Sequence, residues 1–350
     1  MNESVPFLWK GNLSDVEETV SKVKKGKCEL VCKSAGGRNI YLVSYGKENV
    51  INTKANYNSA CGGQDISCYA DKSSKNYRKT LFLIGNVHGG EFEGTVAINN
   101  LISIMETGAD ISGKDFSRLR EGLEKYNLLI IPSINPDGRS RVPFDSLVGE
   151  PLEVMRHYNQ GTWKTGGLCN WPDCKKVHPI KEASDYLGGY FNDDGINLMH
   201  DNFFLPMAKE TKVLMKIADK YAPDLTVMLH GGANCRNLMI KPAYCATHIY
   251  EEIACLEKIW QEKCERESLR YRQRAREDES SNPPTSFNLA SALTHICGAP
   301  CVTYETNQGL DYGEEIYSYA EIYRHHMVLF ESILSFFELG IKNNNEVTIK

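Results

Sequence analysis

Short apolar runs of strand length recur along the chain, and each is followed by a polar or glycine-containing turn. They lie at 39–45, 81–87, 126–132, 225–229 and 302–304. The runs at 81–87 and 126–132 are almost continuously apolar, as expected of strands that helices cover on both faces. The pattern therefore predicts a sheet whose central strands are buried.

Segments with apolar residues at helical spacing separate these runs. We expect helices at 14–26, 91–105, 206–221, 248–277 and 321–339. Ser14 is the expected cap of the first helix, and Pro206 is the expected first residue of the third. The run Asn282-Pro283-Pro284 is expected to stop the fourth. Strands that alternate with helices indicate an α/β domain with a largely parallel sheet.

One stretch, residues 139–194, departs from this alternation. It contains several glycines and two tryptophans, and it has an irregular pattern. A long irregular segment inside a compact domain is typically a lid or a binding wall. Since no internal repeat or linker divides the remainder, we expect one domain over 1–350 with a lid-like insertion at about 139–194.

Three potential metal ligands lie within this insertion: Cys169, Cys174 and His178. A structural zinc site normally needs four ligands, and only three of doubtful spacing are present here. We therefore favour packing or redox sensitivity as the role of these residues.

Composition and charge narrow the class of protein. The chain has 350 residues, a formal net charge of −5 and 41% hydrophobic residues, which is ordinary for a globular α/β enzyme. The charge argues against nucleic acid or an anionic membrane as the main partner. Residues 1–6 lack the basic start and apolar core of a signal peptide, and no apolar run is long enough to span a membrane. The 12 cysteines are then expected to be reduced thiols in a cytoplasm.

Two of the apolar runs are followed by a histidine and two glycines. The sequence His88-Gly-Gly-Glu91 follows 81–87 and leads into a predicted helix, and His230-Gly-Gly follows 225–229. Zinc binds histidine nitrogen and glutamate oxygen, and catalytic sites use three protein ligands with one position open for water. The alternative is two structural histidines, but their shared context favours a single His₂Glu metal site.

The order of motifs along the chain resembles that of the zinc carboxypeptidase family, in the form of a divergent bacterial-type member. The matching motifs are His88-x-x-Glu91, Asn135-Pro-Asp-Gly, Gly195-Ile-Asn-Leu, His230 and Thr303-Tyr-Glu-Thr. The resemblance covers roughly residues 36–335. It implies a three-layer α/β/α sandwich around a mixed, mainly parallel sheet, with zinc at the carboxyl ends of the central strands. It also implies cleavage of the last residue from a peptide.

The resemblance also implies roles for individual residues. His88, Glu91 and His230 match the ligands of one zinc ion, and Glu305 matches the general base that takes a proton from the attacking water. An arginine after the Asn-Pro-Asp-Gly turn is expected to stabilise the oxyanion, because a guanidinium keeps its charge and offers several donors. The residue is either Arg139 or Arg141, and Arg156 is a third candidate.

Several departures from the family pattern concern substrate recognition. The Asn-Arg pair that would grip a terminal carboxylate is absent, and His200 could partly replace it if protonated. Asp201 beside it would repel a carboxylate and favour an amine or a neutral group. Asn197 stands where an acidic residue would orient a zinc histidine, and it can still accept the same hydrogen bond without charge. Phe287 is the nearest aromatic residue to the family's substrate-covering tyrosine, but it lacks the hydroxyl.

The first functional hypothesis is a cytoplasmic zinc metallocarboxypeptidase, which hydrolyses a C-terminal amide bond of a peptide or a peptidoglycan-type fragment with a zinc-activated water. The alternative is a zinc deacylase of N-acyl amino acids, similar to aspartoacylase or succinylglutamate desuccinylase. The missing Asn-Arg pair and the Asn-Pro-Asp-Gly turn both argue against it. A third is a non-catalytic binding protein, which the presence of Glu305 argues against. The sequence indicates neither a side-chain preference nor an oligomeric state.

Overall fold

A seven-stranded sheet forms the centre of the described part of the chain. The structure is a computed structural model that describes residues 4–51, 53–205, 207–273 and 282–346. The strands are β1 (Lys27–Lys33), β2 (Asn39–Tyr45), β3 (Thr80–Gly85), β4 (Asn127–Ile131), β5 (Gly161–Trp163), β6 (Ser184–Leu187), β7 (Leu225–Gly231), β8 (Leu238–Ile240) and β9 (Cys301–Thr306). Strands β5 and β6 form a separate antiparallel pair.

The order of strands in the main sheet is β1-β2-β4-β3-β7-β9-β8. The four neighbours β4, β3, β7 and β9 are parallel to one another, whereas β1, β2 and β8 join the sheet antiparallel. This arrangement confirms the predicted mixed sheet with a parallel centre. The carboxyl ends of β3, β7 and β9 therefore open onto the same edge, which is where ligands bind in folds of this kind.

Helices cover both faces of the sheet. They are α1 (Leu13–Ser21), α2 (Tyr57–Gly62), α3 (Glu93–Thr107), α4 (Ser117–Leu123), α5 (Pro136–Arg141), α6 (Leu152–Met155), α7 (Lys209–Tyr221), α8 (Thr247–Arg266), α9 (Leu289–Cys297) and α10 (Tyr319–Glu346). Along β3, Leu81 and Leu83 pack into an apolar cluster with α1, α3, α4, α8 and α10. Phe82 and Ile84 pack into a second cluster with α7 and α9. Alternate residues of one strand thus pack into two hydrophobic cores, one on each face of the sheet, as the three-layer prediction requires.

Some predicted boundaries were wrong. Helix α1 begins at Leu13 and is capped by Asn12 in a capping box, so Ser14 is not the cap. Helix α8 ends at Arg266 rather than near 277, and Ser268 beyond it has a left-handed φ of 55° that continues no helix. Pro206 lies outside the described residues. Across the described ranges, no helix combines the length and apolar character that crossing a membrane requires.

The insertion at 139–194 is more ordered than predicted. It contains α6, a π-helical turn at Arg156–Gln160, and the β5–β6 pair. Four of its side chains form a small buried cluster: Cys169, Cys174, Ile180 and Phe191. The two cysteines therefore serve packing, one of the roles expected for them.

Candidate metal centre

Three buried side chains converge at the carboxyl edge of β3 and β7. His88 and Glu91 lie on the turn after β3, and His230 lies near the end of β7. Because Gly85 of β3 pairs with Leu229 of β7, both chain segments reach this edge at the same level. His88 Nδ1 is 2.9 Å from Glu91 Oε1, and His230 Nδ1 is 2.8 Å from Glu91 Oε2. One potential ligand atom from each residue lies within 4.8 Å of the others.

The two glycines between His88 and Glu91 are required by close packing. A Cβ on Gly89 would lie 2.0 Å from the carbonyl carbon of Gly138, in the Asn-Pro-Asp-Gly turn. A Cβ on Gly90 would lie 1.4 Å from Asn159 Oδ1. Both distances are far below van der Waals contact, so any larger residue would displace the ligand turn.

The hydrogen bonds of the two imidazoles fit a metal ion. His88 Nε2 is 3.2 Å from Asn197 Oδ1, so a proton on Nε2 is donated to that amide and Nδ1 keeps its lone pair for a metal. Burial acts to raise the pKa of Glu91, but the two neighbouring imidazoles outweigh it and lower that pKa to about 2. Two nitrogens and one ionised carboxylate are a donor set that zinc accepts. His88, Glu91 and His230 could therefore hold a metal ion.

Glu305 lies beside this group on the adjacent strand. It pairs in register with His230, so the two side chains leave the same face of the sheet. A Cβ on Gly232 would lie 3.0 Å from Glu305 Oε2, and this glycine therefore leaves room for the carboxylate. Burial, followed by the charge of Glu305, raises the pKa of the neighbouring Cys235 thiol. The structure thus brings Glu305 to the edge of the sheet that holds the three ligands.

The guanidinium of Arg139 is hydrogen-bonded to backbone carbonyl groups. Its nitrogens donate to the carbonyl oxygens of Gly11 at 2.9 Å, Val142 at 2.6 Å and Phe144 at 2.6 Å. The guanidinium also stacks over the Phe92 ring, 4.7 Å from its centroid. These contacts join the N-terminal segment to the chain after α5, and they occupy the donors that an oxyanion would need.

Arg141 is engaged in the same way. It pairs with Asp193 and donates to the carbonyl oxygen of Phe191, and Arg38 bridges Asp193 to the buried Asp137. This network fastens the insertion to α5. Among the described residues, the hydrogen bonds of Arg139 and Arg141 go to groups other than the three potential metal ligands, so the expected oxyanion role is not supported for either. Arg156 begins the π-helical turn and is half-buried.

His200 is half-buried near the charge of Lys175, and Asp201 accepts hydrogen bonds from the segment that leads into α7. Burial, then the charge of Lys175 and the nearby histidines, lower the pKa of His200 to about 3, so this imidazole is neutral at physiological pH and replaces no arginine. The Asp201 carboxylate accepts hydrogen bonds from Ala208 N at 2.7 Å and Thr211 Oγ1 at 2.6 Å. It therefore holds the segment that leads into α7, and its expected effect on substrate charge stays a prediction.

Phe287 belongs to an aromatic cluster near the His200 turn. Its ring lies 5.5 Å from Phe204 and 5.8 Å from Tyr244, measured between centroids. Helix α9, which begins two residues later, packs against Leu198–His200. A role of Phe287 in binding substrate stays a prediction.

Sequence reasoning missed Tyr190 and Glu93. The Tyr190 ring stacks on His88 with centroids 4.2 Å apart and planes 20° apart. Glu93 is buried two residues after Glu91, and burial raises its pKa to about 8, so it is mainly neutral at pH 7 and adds little charge. The only sequence signal for Tyr190 is the Gly188-Gly189 pair before it, which allows close backbone approach.

Among the described residues, Cys169, Cys174 and His178 do not converge as His88, Glu91 and His230 do, whose potential ligand atoms lie within 4.8 Å of one another. His178 has a different partner, because its Nε2 accepts a hydrogen bond from the Asn197 backbone at 3.0 Å. This bond fastens the insertion to the segment that carries Asn197 and His200.

Comparison with known protein families gives a match over most of the chain. Residues 20–283 match the family described as zinc carboxypeptidase. The matched range includes the three converging ligands but ends before Glu305. No curated protein sequence gives a significant match.

Several solved structures have a similar fold, and three of them are described here. A metallo-carboxypeptidase from Burkholderia cenocepacia has a TM-score of 0.58 and 12% identity, with 92% of this chain and 67% of that chain covered. A metallo-carboxypeptidase from Pseudomonas aeruginosa, in complex with (2-guanidinoethylmercapto)succinic acid, has a TM-score of 0.55 and 14% identity, with 93% of this chain and 68% of that chain covered. Bovine thrombin-activatable fibrinolysis inhibitor, in complex with tick carboxypeptidase inhibitor, has a TM-score of 0.56 and 10% identity, with 97% of this chain and 100% of that chain covered. At these identities the likeness shows a shared fold.

Proposed function

Because the chain belongs to the zinc carboxypeptidase family, we propose that it binds one zinc ion and hydrolyses the C-terminal amide bond of a peptide or a peptidoglycan-type fragment in the cytoplasm. The observation that carries the proposal is the convergence of His88, Glu91 and His230 beside Glu305, which lies in register with His230. A metal-binding group with a carboxylate on the next strand is the arrangement that metal-assisted amide hydrolysis needs.

The residues divide the chemistry as follows. When bound, zinc supplies Lewis acidity toward a carbonyl oxygen and toward water. His88, Glu91 and His230 would hold it, and Glu305 accepts a proton from the attacking water as the new carbon–oxygen bond forms. Glu305 then delivers that proton to the amide nitrogen, so the carbon–nitrogen bond breaks and the amine leaves neutral. No arginine is assigned to the oxyanion, since Arg139 and Arg141 have other partners.

The role of Glu305 is tested by Glu305→Gln, which keeps the shape of the side chain and removes its basicity. We expect turnover of a peptide library to fall by about 10²- to 10⁴-fold, the usual contribution of a general base. Bound zinc, measured by elemental analysis, should stay at the wild-type level. The matched control is Glu314→Gln. Glu314 is exposed and lies between β9 and α10, so this change should leave turnover unchanged. Wild-type activity in Glu305→Gln would contradict the proposal.

The insertion carries a lysine close to the turn that contains His200. Lys175 ends a short 3₁₀ turn, and its charge acts on His200. The segment after it is held against the chain before His200, because Ile180 N donates to Gly195 O at 2.9 Å. His178 accepts from Asn197 N in the same region. We propose that Lys175 replaces the missing arginine in binding the carboxylate.

This assignment is tested by Lys175→Met, with Lys176→Met as the matched control. Lys176 pairs with Asp173 at 2.6 Å, so both variants remove one positive charge from the same turn. We expect kcat/KM on a blocked dipeptide with a free carboxylate to fall by roughly tenfold or more in Lys175→Met, since a hydrogen bond to a charged group contributes about 1.5–3 kcal/mol. Equal effects in the two variants would contradict a specific role. Faster cleavage of an N-acyl amino acid than of the dipeptide would instead favour the deacylase.

A further inference from the structure

Two segments of the insertion wrap around the turn that carries the metal ligands. Gly89 N donates to Gly189 O at 2.6 Å, and Asn159 Nδ2 donates to Gly90 O at 3.3 Å. The ring of Tyr190 covers one face of His88 at 4.2 Å. Every residue of the ligand turn up to Gly90 thus has a partner in the insertion.

We propose that Tyr190 is a positioning residue for metal binding, and that the segments 158–160 and 188–191 form a clamp that fixes the plane of the His88 imidazole. The inference rests on the proposed metal site but adds a role for residues outside the ligand set. It also gives the insertion a function at the metal centre, where sequence suggested a lid or a binding wall.

The physical reason lies in the geometry of an imidazole ligand. The lone pair of Nδ1 lies in the ring plane, so rotation about the Cβ–Cγ bond turns it away from the ion. Asn197 fixes the far edge of the His88 ring through Nε2 at 3.2 Å. His230 approaches at 5.0 Å with the planes at 83°, so it meets the ring edge to face. The parallel stack with Tyr190 restricts the remaining rotation out of that plane.

Tyr190 is itself held firmly enough to act in this way. Its backbone N–H donates to Asn159 O at 2.8 Å, and Gly189 N donates to Tyr158 O at 2.7 Å. The side chain of Gln160 interacts with the Tyr190 hydroxyl. The same turn, Arg156–Gln160, therefore supports both the tyrosine ring and the ligand turn through Asn159.

The insertion also offers a matched control. Tyr186 stacks on His157 with centroids 4.9 Å apart and planes 18° apart, which is nearly the same geometry as the Tyr190 and His88 stack. His157 is not part of the metal-binding group. Removing either ring deletes a tyrosine–imidazole stack from the insertion, but only one of the two imidazoles is a proposed ligand.

The test compares zinc affinity, by competition with a chromophoric chelator, in Tyr190→Leu, Tyr190→Phe and Tyr186→Leu. Loss of the ring in Tyr190→Leu should weaken zinc binding by about 10- to 100-fold, the range seen when outer partners of metal ligands are removed. Tyr190→Phe keeps the ring and should stay within about threefold of the wild type. Tyr186→Leu should do the same. The visible spectrum of the cobalt-substituted protein should change in Tyr190→Leu only.

Wild-type affinity in Tyr190→Leu would overturn the inference, and so would an equal loss in Tyr186→Leu, because the insertion would then act only through general stability. Far-ultraviolet circular dichroism checks that each variant is folded. If Tyr190→Leu does not fold, Tyr190→Met carries the same expectation with more of the side-chain volume retained. A wild-type chain that binds no transition metal would overturn the proposed function together with this inference, which separates that failure from a failure of the clamp alone.

Discussion

Asn197 connects three parts of the candidate site through one side chain and one backbone group. Its Oδ1 faces His88 Nε2 at 3.2 Å and also accepts from Met199 N at 3.0 Å, while its own N–H donates to His178. The residue therefore sets the tautomer of a metal ligand and the position of the turn that carries His200. It does so with a neutral amide, where a carboxylate would polarise the imidazole more strongly.

Two replacements of this amide should change zinc affinity in opposite directions. Asn197→Leu removes the acceptor, and we expect zinc binding to weaken by about 10- to 100-fold. Asn197→Asp adds a charge to the same acceptor, so zinc should bind more tightly than in the wild type. Chelator competition measures both. Weaker binding in Asn197→Asp than in Asn197→Leu would show that the contact with His88 Nε2 does not control the ligand.

Single residues also show what sequence could and could not predict. His88 and His230 were predictable, because each follows an apolar run and precedes two glycines, and strand ends of a parallel sheet share an edge. The roles of Arg139 and Arg141 were not, since their partners are carbonyl groups and carboxylates far away in sequence, such as Gly11 and Asp193. The neutrality of His200 was not predictable either, because it depends first on burial and then on Lys175, which lies 25 residues before it.

At the scale of elements, prediction succeeded where burial is uniform. Strands β3, β4 and β7 are buried at every position, so their sequences are continuously apolar and easy to recognise. Strand β1 was missed because it lies at the edge of the sheet and its exposed positions recur every third residue, from Lys27 through Leu30 to Lys33. That spacing matches neither the two-residue period of a strand nor a fully buried one.

Helix α10 carries two adjacent buried histidines, and one of them predicts a pH dependence. His326 Nδ1 lies 2.9 Å from Ile322 O and its Nε2 lies 3.1 Å from Thr306 Oγ1. Burial lowers its pKa to about 4 from the ordinary 6.5. Between these values the unfolded chain binds the extra proton, so the free energy of unfolding should fall as pH drops from 6.5 towards 4, by up to about 3 kcal/mol.

The variant His326→Gln removes this titration, so its free energy of unfolding should depend on pH less steeply by up to one proton in that window. Urea unfolding at several pH values between 4 and 7 gives the slopes. The control is His248→Gln, an exposed position near the start of α8, which should keep the wild-type slope. A wild-type slope in His326→Gln would mean that other groups cause the acid sensitivity.

At the scale of the whole molecule, the sheet brings together ligands that are far apart in sequence. Glu91 and His230 are separated by 139 positions, yet their side chains are 2.8 Å apart because β3 and β7 are neighbours in register. The fold class and the ligand set were predictable from this logic. The contacts of the insertion with the ligand turn were not, because they consist of backbone groups and a tyrosine whose position no local pattern specifies.

A metal ion at this site should stabilise the fold as a whole. An ion that binds the native chain, and not the unfolded one, stabilises it by RT ln(1 + [L]/Kd), or about 2.7 kcal/mol at a hundredfold excess over Kd. His88, Glu91 and His230 converge only in the folded protein, so removal of the ion should destabilise it. Since each kcal/mol shifts the thermal midpoint of a chain of this size by at most about 2–4 °C, we expect a chelator to lower the midpoint by a few degrees. Added zinc should restore it. The variant Glu305→Gln should show the same shift, since it keeps all three ligands, whereas His230→Asn should show none. If neither the chelator nor added zinc changes the thermal midpoint, the three side chains hold no metal.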